Sequence, residues 1–306
     1  MPASSTQQIT REESPLVSIV VITYNSSKYV LETLESAKVQ TYQNIELIVS
    51  DDCSTDNTLE ICCKWIEENK TRFVRAEIIE TNKNTGVSGN CNRGLMASKG
   101  EWVKLIAGDD LLVCDGLEEF VNYVLSNSEV KVVVSDLIFF GKNESFFEVD
   151  RSINSYTLKQ QLKSLLLLDK GVPSLGPSCF YNREVLVKIG GYDTRYPLIE
   201  DYPLSLKILV SGIKIYALNK KCVRYRNHNE SISTSPSFSG NFIEMYTRCA
   251  IPVILRHKMY LIWYHFFVNR ILTENKYHLF DFALPRYIVK ASSVYHWIGY
   301  IKKYAI

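Results

Sequence analysis

The sequence lacks a Cys-x-x-Cys pair, a His-Glu-x-x-His, a phosphate-loop lysine motif and a Gly-x-Gly-x-x-Gly. Zinc hydrolase, nucleoside triphosphatase and dinucleotide oxidoreductase readings therefore lose their usual support. Strong charge of either sign is also missing: 35 Lys and Arg against 33 Asp and Glu leave a formal +2, which argues against a chain that coats nucleic acid. The opening MPASSTQQITREESP has neither the basic start nor the apolar core of a secretory signal, and residues 1–14 read as a disordered leader. Eight cysteines are scattered, several inside apolar segments, where a thiol behaves as a small hydrophobe in a reducing compartment. The expected location is cytoplasmic.

What the chain does have is alternation of strand and helix patterns. VSIVVITYN (17–25) is a β-branched run suited to a strand buried on both faces, and SSKYVLETLESAKVQ after it has the helical period, with Ser26 or Ser27 able to cap. IELIVSDDCSTDNT repeats the design and leads into LEICCKWIEE; AEIIET, SGNCNRGLMASKG and EWVKLIAGDD supply a third strand, a helix closing on Gly100 and a fourth strand. GLEEFVNYVLSN reads as a helix and VKVVVSDLIFF as a strand. Successive strand-helix units predict an α/β sheet. Polar residues then recur at the carboxyl ends of strands, at Tyr24 and Asn25, Asp51 and Asp52, 82–86, and Asp109 and Asp110. In an open α/β sheet that edge binds ligands.

Each acidic pair has two readings. Asp109-Asp110 suits a hard divalent cation, which takes oxygen ligands beside waters and phosphate, or a solvated turn. One of Asp51 and Asp52 can cap the next helix while its neighbour binds. Glu200-Asp201 heads an apolar-periodic helix, where an acidic first turn complements the dipole and a catalytic carboxylate fits equally. His228 lies among polar residues, as a surface histidine does.

Together VSIVVITYN, IVSDDCSTDNT, NTGVSGNCNRGLMASKGEWVKLIAGDD, GGYDTRYPLIEDYPLSLKI and YRNHNESIS resemble the family 2 glycosyltransferases over residues 15–235. The resemblance implies the GT-A fold: an α/β, Rossmann-like, mostly parallel sheet flanked by helices. The polar loop NESISTSPSFSGN (229–241) marks the boundary between a catalytic domain over 15–238 and an aromatic, basic, helical C-terminal region over 239–306. The resemblance implies that Thr23, Tyr24 and Asn25 line the nucleotide pocket, that Asp51 or Asp52 reads the base, and that Asn84 and Gly86 lie along the donor. Asp109 and Asp110 match the element holding Mn2+ or Mg2+ and the diphosphate, with Asp110 as the direct ligand; His228, with Arg226 near it, faces metal or diphosphate. Asp201 matches the catalytic base of an inverting transfer from a nucleotide sugar, with UDP-sugar expected. Two positions depart from the family pattern: Ala107 stands where many members have a further aspartate, and Cys91 where an arginine is frequent, with Arg93 nearby.

From Asn241 onward nine residues are basic and three acidic. PVILRHKMYLIWYHFFVNRIL (252–272) is interrupted by Arg256, His257 and Lys258, too charged to span a bilayer. Packing on the catalytic core is the preferred reading, with peripheral contact at the inner membrane face compatible with it. That contact would make the acceptor a lipid-linked saccharide in surface polysaccharide synthesis rather than a free one. The competing functions are a sugar nucleotidyltransferase, for which no Gly-rich basic loop follows the first strand, and a catalytically silent nucleotide-sugar-binding scaffold, against which Asp109, Asp110 and Asp201 argue.

Overall fold

The continuous apolar runs become the buried strands of one sheet. β1 (Val17–Thr23), β2 (Ile45–Asp51), β3 (Arg75–Ile79) and β4 (Trp102–Ala107) pair in parallel in the order β3-β2-β1-β4. Register sets Thr23 beside Asp51 and Ile22 beside Ala107, so the loops leaving three strands start from one edge. The computed structural model describes residues 14–142, 144–168, 176–228 and 238–259.

Beyond β4 the sheet becomes mixed. β8 (Cys179–Asn182) lies antiparallel to both β4 and β6 (Val132–Gly141); β9 (Tyr216–Asn227) runs parallel to β6 and pairs with the short β5 (Leu111–Leu112), and β7 (Ser145–Phe147) forms a hairpin on β6. The sequence pattern does not announce β8 or β9. β8 has only four residues, and β9 turns three consecutive residues, Asn219, Lys220 and Lys221, outward, which breaks the period-two signal.

Helices cover both faces. α1 (Val30–Lys38), α2 (Thr58–Asn69) and α4 (Gly116–Ser126) share one apolar cluster with Val17, Ile19 and Val21 of β1. α3 (Gly86–Ala97), α5 (Leu158–Leu167), α6 (Arg183–Lys188), α7 (Asp201–Val210) and α8 (Phe238–Arg256) join the cluster around Val20 and Ile48 on the other. Alternate residues of β1 thus face opposite cores, each fully buried Val or Ile contributing about 1.5–3 kcal/mol. α8 buries Met245, Tyr246, Ala250 and Ile254 and sets Phe242 edge-on and Tyr246 at a tilt against the Tyr202 ring of α7. Among the described residues no helix is long and apolar enough to cross a membrane; the expected amphipathic tail from 260 onward lies outside them.

Local chemistry differs from the expected caps. Neither Ser26 nor Ser27 caps α1, whose N-cap Tyr29 makes no side-chain bond. Instead the backbone N–H of Ser26 donates to Thr58 Oγ1 at 2.7 Å and that of Ser27 to Asp56 Oδ2 at 3.1 Å, lacing the β1 loop to the β2 loop. Asp56, not Asp51 or Asp52, accepts from Thr58 N at the head of α2. α3 ends at Ala97, and Gly100 turns in to donate to the buried Glu46 at 2.9 Å.

α3 approaches the sheet closely because Gly94 has no side chain: a Cβ there would stand 2.3 Å from Val20 Cγ1. We expect Gly94→Ala to lower stability by about 1–3 kcal/mol in urea unfolding. An unchanged midpoint would contradict this seating of α3.

Candidate functional site

At the β2 end both aspartates are turned inward, each 2% exposed. Asp51 accepts from Thr23 Oγ1 at 2.8 Å, Ser54 N at 2.8 Å and Ser54 Oγ at 2.6 Å. Asp52 gathers Thr85 N at 2.9 Å, Thr85 Oγ1 at 2.6 Å, Gly86 N at 2.8 Å and the Arg93 guanidinium at 2.8 Å. Its carboxylate therefore fixes the start of α3, a favourable place for negative charge. Gly86 sits at φ +78°, and a Cβ there would meet Pro197 at 2.6 Å; Asn84 Oδ1 accepts from its N–H at 2.9 Å. Asn25 takes the left-handed φ of 50° and accepts from Thr55 N at 2.8 Å, a conformation asparagine tolerates. Tyr24 is left 49% exposed on this edge.

At the β4 end the two aspartates divide. Asp110 is 1% exposed. Its Oδ1 accepts from the backbone N–H of Arg226 at 2.8 Å, while Oδ2 is buried with no hydrogen-bond partner. Burial first, then the charge of Asp109, hold its carboxyl well above the usual range. Asp109 turns outward and meets His228 Nε2 at 2.8 Å. The Arg226 guanidinium is already engaged: Nε donates to the Asp109 carbonyl at 2.7 Å, an Nη to Glu32 at 2.8 Å, and its plane stands 4.4 Å from both the Tyr29 and Phe140 rings. No three His, Cys, Asp or Glu side chains meet as a ready-made metal cluster among the described residues.

The third acidic pair heads α7. Burial raises the Asp201 carboxyl, against N–H donation from Tyr202 at 2.7 Å; burial and then the charge of Asp201 raise Glu200 further. Gly176 lies against both, 3.3 Å from Glu200 Oε1 and 3.4 Å from Asp201 Cβ when a Cβ is built on it. The segment leading to them is stapled to α3. Asn92 exchanges two 2.8 Å bonds with the Tyr192 backbone, and Ser88 Oγ donates to the Tyr196 carbonyl at 2.6 Å. The buried Cys91 thiol, pushed up first by burial, feels both Glu200 and Asp52. The β2 loop and the head of α7 therefore flank one helix.

Lys104, inside β4 and wholly buried, joins the other side. Its ammonium donates to the carbonyls of Leu105, Pro177 and Cys179, and burial lowers its pKa to about 8. It acts electrostatically on Asp110 and anchors the turn beside Asp201. Its signal was visible, a lone charge in the apolar run WVKLIA; Asn92 and Ser88, polar at inward positions of α3, carry the same kind of signal.

A sequence model described as Glycosyl transferase family 2 matches residues 18–190, more than half of the chain. The chain belongs to this family. The Escherichia coli protein named UDP-Glc:alpha-D-GlcNAc-diphosphoundecaprenol beta-1,3-glucosyltransferase WfaP is 28% identical over 252 residues, 82% of this chain and 92% of its own. S. aureus TarS 1-349 in complex with UDP shares the fold with a TM-score of 0.62 at 23% identity, over 82% of this chain and 70% of that one. The chain spans 43% of a longer TarS structure. The mannosyltransferase PcManGT from Pyrobaculum calidifontis, in complex with GDP-Man and Mn2+, gives 0.55 at 17% identity over 92% and 69% of the two chains. Arg93, two residues beyond Cys91 on α3, carries the guanidinium that pairs with Asp52.

Asp52 and Arg93 form a pair in which the carboxylate has almost no solvent contact. Asp52→Ala removes the carboxylate that pairs with the guanidinium and accepts from the Thr85 and Gly86 N–H groups, so we expect a loss of about 3–5 kcal/mol, read as a lowered urea midpoint. A variant as stable as wild type would remove Asp52 as the brace of α3.

Proposed function

We propose that the chain transfers a sugar from a UDP-sugar to a saccharide acceptor carried on a lipid diphosphate, with inversion at the anomeric carbon. The observation that carries the reading is Asp110, buried at a strand end with one carboxylate oxygen left without a partner; Lys104, whose charge acts on it, bonds the turn beside Asp201. Such an oxygen calls for a positive ligand. The donor and acceptor classes are supported by the family, by the name of the E. coli relative and by the UDP in the TarS complex.

The residues fit a divalent cation. Asp110 Oδ2 is an oxygen donor with no hydrogen-bond partner in the protein, Asp109 stands next to it, and His228 adjoins Asp109; two or three protein donors suffice for an ion that also takes phosphate oxygens and waters. Bound there, Mn2+ or Mg2+ would neutralise charge on the departing diphosphate. The nucleotide rests on the β1 and β2 loops, with Tyr24 as its exposed aromatic face and Asn25, Asn84 and Gly86 along the donor. Thr23, Asp51 and Asp52 hold these loops in shape through their internal bonds. Residues 15–238 form the catalytic unit in this reading, with the helical region from 239 packed on it through α8.

Asp201 takes the proton of the acceptor hydroxyl as its oxygen attacks the anomeric carbon and the bond to the diphosphate breaks on the opposite face. Glu200, raised further than Asp201, keeps its proton while Asp201 ionises. A lone negative charge then faces the hydroxyl, and general-base catalysis of this kind contributes about 10² to 10⁴ in rate.

Release of UDP from a panel of UDP-sugars with manganese present tests the donor class; no release or binding with any of them would overturn it. Asp201→Asn should leave UDP affinity unchanged and cut transfer by about 10² to 10⁴. Full turnover in that variant rejects the base. Because the Asp201 carboxyl is raised and must be ionised to act, kcat/KM should climb with pH along a limb lying above the ordinary carboxylate range. A limb at ordinary carboxylate pH would contradict this. Asp110→Ala should abolish the manganese-dependent part of UDP binding in calorimetry, and binding still strengthened by manganese would remove Asp110 as its ligand.

A further inference from the structure

We infer that Lys104 is a positioning residue for the catalytic base, its ammonium holding the turn Gly176–Ser178 against Asp201 from inside the sheet; this rests on the transfer reading above. β1 accompanies β4 from Trp102 to Ala107, whereas the ladder to β8 ends after Trp102 and Val103. At the next residue the Lys104 ammonium takes its place. It donates to the Leu105 and Cys179 carbonyls, each at 3.2 Å, and to the Pro177 carbonyl, which uses all three donors of an ammonium. The residue is 0% exposed. An apolar side chain would fill this position without the several kcal/mol it takes to desolvate a cation. What the charge adds is a grip on the carbonyls of the turn.

That turn is short, and it touches the base. Pro177 has no N–H of its own to fix it; its carbonyl, held by Lys104, is the next one after Gly176. A Cβ built on Gly176 would lie 3.3 Å from Glu200 Oε1 and 3.4 Å from Asp201 Cβ. Burial raises the Asp201 carboxyl, and three backbone N–H groups oppose it, those of Tyr202, of Asp201 itself and of Gly176. The first two belong to α7. The third comes from the turn, so its place beside the carboxylate depends on where Lys104 holds the Pro177 and Cys179 carbonyls. Glu200 on α7, and Cys179 and Tyr181 on β8, also feel the Asp201 charge; all three are acids and repel it when ionised. Moving the Gly176 N–H away therefore makes Asp201 harder to ionise and loosens its aim at the acceptor hydroxyl.

Isotope-labelled aspartate carboxyls followed by NMR in the full chain test this, with the Asp201 signal identified by its absence from Asp201→Asn. Lys104→Met keeps an unbranched apolar stem and removes the ammonium. Gly176→Ala keeps the ammonium and crowds the turn away from Glu200 and Asp201. In both variants Asp201 should titrate at higher pH than in wild type, and release of UDP from the panel of UDP-sugars with manganese should fall by up to about 10²-fold. The losses should not add in the double variant, because both changes act on one contact. Gly176→Ala should leave UDP affinity in calorimetry unchanged. An Asp201 midpoint equal to wild type in Lys104→Met overturns the inference, and weakened manganese-dependent UDP binding alongside it would hand the lysine to Asp110. Should Lys104→Met not fold, Gly176→Ala decides, and an unmoved Asp201 midpoint there overturns the inference. Full turnover in Asp201→Asn overturns the base reading instead, a result separate from the NMR shift, which is read without substrate.

Discussion

A buried carboxylate with one free oxygen, that of Asp110, is the constraint on which the cleft is built. Its main chain and side chain tie three elements: Thr33 of α1 donates to its carbonyl at 2.8 Å, its own N–H reaches the Ala107 carbonyl at 3.2 Å, and Arg226 of β9 donates to Oδ1. Every other acidic group of the site has partners inside the protein or access to water. Asp110 Oδ2 has neither, and the neighbouring cations Lys104 and Arg226 offset its charge only through their fields. A group desolvated this far is stable as an anion only when positive charge comes to it. Here the scaffold leaves a carboxylate oxygen buried and unsatisfied at the strand edge.

The contrast with Asp52 sharpens the point. Both residues follow parallel strands, both are nearly inaccessible, and both belong to adjacent acidic pairs. Asp52 has four internal donors and thereby becomes architecture: it holds the head of α3, and α3 in turn carries Asn92 and Ser88, which fix the approach to Asp201. Desolvation alone does not make a carboxylate a binding group; the count of donors already aimed at it does. The strand edge thus carries one satisfied aspartate, which sets positions, and one partly satisfied aspartate, which is left with an oxygen to offer.

Much of this was legible in the sequence for a physical reason. Strands β1, β2 and β4 are buried on both faces, so their β-branched runs stand out, and their polar exits mark the functional edge without any knowledge of pairing. β9 was not legible, because its outward lysines interrupt the pattern and its partners β5 and β6 are remote in sequence. The caps misled for a related reason. Ser26 and Ser27 have the chemistry of helix caps, but their backbone bonds to Asp56 and Thr58 come from about thirty residues away, and that tertiary lacing decides how the loop turns. Arg226 was recognisable as a cation near the acidic pair; its engagement by Asp109, Glu32 and two aromatic rings was not, since these partners come from three separate segments.

The charges of the cleft also differ in how they meet solvent. Asp110 and Lys104 are 1% and 0% exposed, so water and salt screen their interactions little, and their geometry is fixed by the fold. Lys28 and Lys142 stand at the rim, where charge draws an anion in over distances near the Debye length but is readily screened. Charge at the rim is thus readily screened, whereas the charge of the buried Asp110 and Lys104 is not. A misplaced charge therefore costs far more against the dry floor around Asp110 and Lys104 than at the rim.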